Sequence, residues 1–206
     1  MKESGKIILS FAIRITLYIA LMVILNLVYM HDATHVTPTG KFGENSWTEI
    51  LQEAFLFITG LVFIAIGRYD RELNSIANLV SVFFFMAFIR EFNNQISFWP
   101  YLEIPLIILF LGLTFYNRTK LISSFLRLLN HRALAWLVIG FLITFVFSRL
   151  FGRTAFWQQL LENDYNRWAK NAAEEGIELL GYTLLFIGGV ELLVEALKKK
   201  SSLQVN

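Results

Sequence analysis

Glutamates recur at a spacing of four in two places, Glu49 with Glu53 and Glu174 with Glu178, and each pair opens a long apolar run. That spacing puts both carboxylates of a pair on one face of a helix. With a rise of about 1.5 Å per residue, Glu53 lies roughly 9 Å along its helix from Trp47, and Glu178 roughly 12 Å from Lys170. These two are the deepest acids, and Glu175 points aside from its stripe. Arg90, Glu91 and Arg149 close two other apolar runs at the same level. Charged groups at membrane depth are costly and face a bundle interior, pair with one another, or mark ion and proton paths.

Two chemistries fit such a cluster. Carboxylates that crowd together share protons, because like charges oppose full ionisation, which makes a site that loads and releases H⁺, a cation or a small polar solute. That suits a transporter or channel. Alternatively the carboxylates bind a divalent metal, with His31 and His35 as further ligands, and support a metal-dependent membrane enzyme at the outer face. The His-x-x-x-His spacing aligns both imidazoles only if the first helix continues past Met30, and Thr37, Pro38 and Gly40 favour an ordinary loop there. Helix-borne di-metal sites use Glu-x-x-His, which does not occur here. A third reading assigns the layer to architecture. Helix dipoles favour Glu where the second and sixth helices begin and Arg where the third and fifth end. Ion pairs would then hold four helices in register, as in a non-catalytic subunit of a larger membrane complex or a homo-oligomer.

Other chemistries are excluded by what the sequence lacks. There is no cysteine, so thiolate metal sites, disulfides and cysteine nucleophiles are absent. No histidine falls within an apolar run, which argues against a haem. No phosphate-binding glycine motif or nucleophile elbow occurs, so no nucleotide is expected. The charge of +2 comes from loops and from the tail Lys198, Lys199 and Lys200, without a continuous basic face for nucleic acid.

The elements that must carry these residues follow from composition. Of 206 residues 56% are hydrophobic, 20 are phenylalanine and only 3 are proline. The mean hydropathy is +0.55. Hydrocarbon allows only helices or closed barrels, and the runs lack the period of two that barrel strands show. An all-α, polytopic bundle in a single integral membrane domain is expected. Its spans are approximately 7–30, 47–67, 73–89, 101–116, 133–151 and 171–197, with short interfacial helices near 120–132 and 154–170. The first run is longer than the apolar core of a signal peptide and reads as an anchor.

Placing the N-terminus inside puts eleven of the eighteen basic residues in the cytoplasm, among them Arg68, Arg71, Arg127 and Arg132. Both termini are therefore expected to be cytoplasmic, with lipid as the surrounding partner and a bacterial plasma (inner) membrane as the location. Trp47, Trp99, Trp157 and Trp168 gather at the outer interface. Arg14 and Glu191 sit at similar depths near the inner side. They predict a structural ion pair between the first and sixth spans, made by Arg14 with Glu191 or Glu195.

Overall fold

The computed structural model describes residues 2–92 and 97–205. Its regular elements are helical, and among the described residues the only bridge of β type joins Thr37 to Gly40. In chain order the helices are α1 (Lys2–Thr34), α2 (Trp47–Tyr69), α3 (Asn74–Glu91), α4 (Trp99–Tyr116), α5 (Arg118–Leu129), α6 (Leu134–Leu142), α7 (Ser148–Phe151), α8 (Thr154–Leu161) and α9 (Arg167–Val205). A π-helical turn, Ile143–Phe147, joins α6 to α7 without a break in the chain's course.

Five helical stretches are long and apolar enough to cross a membrane: Ser4–Thr34, Trp47–Tyr69, Trp99–Tyr116, Leu134–Phe151 and Arg167–Ser201. Helix α3 has 18 residues, but Asn74, Asn78, Arg90 and Glu91 dilute its ends. It nevertheless runs antiparallel to α2 for its full length. Ser81 donates to the Gly60 carbonyl at 2.9 Å, Asn74 donates to Gly67 at 2.8 Å, and the Phe57 and Phe88 rings meet at 5.3 Å.

Helix α9 is the spine. It packs against α2 on one side and against α6, the π turn and α7 on the other. Leu56, Phe63, Ile66, Tyr182, Leu185 and Leu192 form the centre of the core between them. The α6–α9 contact is close because glycines face it: a Cβ on Gly140 would lie 2.9 Å from the Gly181 carbonyl oxygen, and one on Gly181 would meet Thr144. Small residues at such a seam let two backbones approach and gain dispersion contacts, which is how helices associate in lipid. Helix α4 packs on α3 from outside and contributes no buried residue.

Several boundaries differ from the sequence expectation. The first helix passes Met30 and ends at Thr34, since Asp32 on that extra turn is buried and anchors α2. The last begins at Arg167 rather than Asn171, because α8 and the 3₁₀ turn Glu162–Asp164 take up less of the expected interfacial stretch. The other interfacial helix, α5, covers 118–129 in place of 120–132.

Candidate functional site

At the end of the bundle where α2 begins and α3 ends lies an open cavity of about 830 Å³. Glu44, Glu49, Glu91, Glu174, Glu175 and Glu178 line it together with Arg90, Arg149 and Arg167, so six carboxylates face three guanidiniums and leave a formal charge of −3. Thr39, Phe42 and Gly43 of the α1–α2 loop line it as well. That loop is pinned by Phe42, which adopts a positive φ of 52° and buries its ring 4.6 Å from that of Tyr29.

Each acid enters by a definable route. Ser46 caps α2, its Oγ accepting from the Glu49 amide at 3.3 Å, and the Glu49 carboxylate accepts from the Asn45 amide at 2.5 Å. Asp32 accepts from both the amide and the hydroxyl of Thr48 at 2.7 Å, which ties the end of α1 to the start of α2. These bonds satisfy amides that the first turn of a helix leaves without partners. Glu49 is thus part of the helix cap and part of the cavity wall.

Glu178 is the most enclosed of the set, 7% exposed. Arg149 donates to its Oε1 at 2.7 Å and Ser148 donates to the same oxygen at 3.0 Å. The π turn just before Ser148 inserts one residue into the helical repeat, and Ser148 and Arg149, the residues that follow it, are the two that meet Glu178. Such bulges in helices recur at functional sites. Glu91 accepts from the Tyr182 hydroxyl at 2.9 Å. Glu174 pairs with Lys170 at 2.7 Å, one turn earlier on α9.

Glu175 differs from the expectation that it points aside. It lines the cavity, and its carboxylate and backbone carbonyl both accept from Gln52 Nε2 at 3.0 Å. Because α9 is wedged between α2 and α7, two of its faces border the cavity rather than one. Glu53 is half-buried, does not line the cavity, and has no hydrogen-bond or ion-pair partner among the described residues. It sits one turn after Glu49 on α2. Gln52, Arg167 and Asn171 were not anticipated. They carry no spacing signal, and only the rotation of α2 and α9 brings them in.

His31 and His35 stand with their rings stacked at 3.9 Å, on an exposed turn, His31 beside Asp32 and His35 against the His31 carbonyl. Among the described residues no group of three or more histidine, aspartate or glutamate side chains is arranged to hold a metal ion. At the other end of the bundle Arg14 meets Glu191 at 2.5 Å, and Tyr18 donates to the same carboxylate. Glu195 pairs instead with His131.

Beneath the cavity the core is aromatic. Tyr182 is 1% exposed, and the rings of Phe55 and Phe186, 5.2 Å apart, fill the space with Phe145. The geometry allows binding of a polar guest at this end.

No protein-family model matches this chain, and neither the curated proteins nor the solved structures contain a match to it.

Proposed function

We propose that the protein crosses a bacterial plasma membrane six times, with both termini in the cytoplasm, and binds a small cationic or polar solute in its outward-facing cavity. The observation that carries this reading is the cavity of about 830 Å³ with six glutamates set against three arginines. Helix capping, pairing to Arg149 and pairing to Lys170 account for individual carboxylates, yet the lining as a whole keeps an excess of negative charge beside an apolar core. A positively charged guest offsets that excess. Glu175 and Glu178 are the residues placed to hold it, with Glu91 and Glu174 beside them and Arg90 and Arg167 at the mouth. Helix α3 counts as the third span because it is antiparallel to α2 over its whole length. Six spans return the C-terminal lysines to the side on which the chain starts, as the positive-inside rule favours.

The π turn supports a second reading, in which binding is the first step of transport. Non-α turns within a span are places where a helix can change register. Thr144 in that turn, and Thr59 on α2, carry buried hydroxyls with no partner among the described residues, both deeper than the cavity.

The deciding experiment is calorimetric titration of the full chain in lipid nanodiscs with a panel of small amines, alkali cations and amino acids, repeated on Glu175→Gln and Glu178→Gln. Binding of a cationic member, weakened at least tenfold in either variant, is the expected result. A guest that binds both variants as tightly as the wild type would remove the cavity from consideration. Uptake into proteoliposomes separates the transport reading from simple binding.

A further inference from the structure

We propose that the opposite end of the bundle holds a dedicated site for the phosphate of an anionic phospholipid, formed by Arg71 and Lys120. A depression of about 320 Å³ lies where the α2–α3 turn meets α5, lined by Arg71, Glu72, Ser75, Lys120, Ser123 and Arg127, with Ser124 between them. Its charges sort into two groups. Glu72 is taken by Arg127 at 2.8 Å and by Lys199 at 2.6 Å, and Asp70 beside it is also held by Lys199, at 3.2 Å. Both acids are thus paired with cations other than Arg71 and Lys120. Arg71 and Lys120 remain, both exposed and without an ion-pair partner among the described residues, so the depression presents two uncompensated positive charges.

The level of this site relative to lipid comes from α5 itself. Ile122, Phe125, Leu126 and Leu129 are 67%, 46%, 54% and 44% exposed, while Lys120, Ser123 and Arg127 line the depression. A helix with an exposed apolar side and a basic side lies in the interface plane, its apolar side chains among the acyl tails and its cations at the phosphates. Ser124 fixes the helix by donating to the Glu72 carbonyl at 2.6 Å. A guanidinium and an ammonium beside one small depression match a phosphodiester. A zwitterionic headgroup brings its own ammonium, which the two cations repel. The occupant is therefore an anionic lipid, and the site is independent of what the cavity at the other end binds.

Native mass spectrometry of the full chain, released from nanodiscs holding phosphatidylglycerol and phosphatidylcholine in equal amounts, tests this directly. The wild type is expected to retain phosphatidylglycerol in preference. Each cation near a lipid surface contributes about fivefold in binding, so Arg71→Gln with Lys120→Gln should lower retention about 25-fold. Arg71→Lys with Lys120→Arg keeps most of it, which separates loss of charge from loss of fold, and unchanged melting of the double glutamine variant serves the same end. Equal retention of the two lipids by the wild type overturns the proposal, as does undiminished retention by the double glutamine variant. If inorganic phosphate raises the melting temperature as much as phosphatidylglycerol does, the depression is a free-phosphate site and the lipid assignment falls.

Discussion

Arg149 and Glu178 meet at 2.7 Å across the seam between α7 and α9, and the burial of the two partners is unequal. The arginine side chain is 48% exposed and the glutamate side chain 9%. Removing either partner therefore has different consequences. Arg149→Met strands a buried carboxylate, whose loss of a partner costs about 3 kcal/mol. Glu178→Gln leaves an arginine that water already reaches and keeps an acceptor for Ser148, at about 1 kcal/mol. Melting of the two variants in the same detergent should rank Arg149→Met as the less stable. The reverse order would mean that the unequal burial of the two partners does not set their contributions.

Arg14, Tyr18 and Glu191 fasten α1, whose apolar residues are otherwise largely exposed, to the spine. Arg14→Leu or Glu191→Leu alone should destabilise by about 2–3 kcal/mol, whereas the two together approach the wild type, since no unpaired charge remains. Tyr18→Phe should cost about 1 kcal/mol. A double-mutant cycle on melting free energies gives the coupling, and additive single effects would show that the contact contributes nothing.

The glycine seam makes a sharper forecast. Gly181→Ala forces a methyl group against both the hydroxyl and the backbone nitrogen of Thr144, and overpacking of this kind costs about 1–3 kcal/mol. Adding Thr144→Ala removes the hydroxyl but not the backbone nitrogen, which a Cβ at this position would approach to 2.9 Å. Stability should return in part only. Full recovery would place the constraint in the side chain alone.

Because the chain has no cysteine, single cysteines report topology without background labelling. If α3 crosses the membrane, an impermeant maleimide applied to intact cells labels Ser97→Cys and Asp164→Cys, and reaches Arg71→Cys and Ser201→Cys only after lysis. Labelling of positions 71 and 97 from the same side would reduce the bundle to five spans.

Long apolar runs were readable because hydropathy is a property of each segment by itself. So was the tier of Glu49, Glu174, Glu178, Arg90, Glu91 and Arg149, since depth along a helix follows from counting residues. Azimuth does not follow from counting. Glu175 and Glu178 both border the cavity because of where α2 and α7 press on α9, and Glu53 falls outside it for the same reason, although it shares a stripe with Glu49. The π turn was equally hidden: ITFVF reads as ordinary span, and its effect appears only in the partners that Ser148 and Arg149 find. Past Met30, the turn chemistry of Thr37, Pro38 and Gly40 was legible, but Asp32 gains enough from Thr48 to carry α1 one turn further.

Helix α4 has no buried residue, while more than half of the apolar window of α9 is buried. In evolutionary terms they are opposite kinds of text. An outward-facing isoleucine on α4 can become leucine, valine or phenylalanine with nothing to clash against, and drift there costs the lineage little. On α9 a single added carbon at Gly181 or Gly188 meets another helix. Descendants of this protein should therefore diverge first on α4, and α9 should be the part by which they still identify one another.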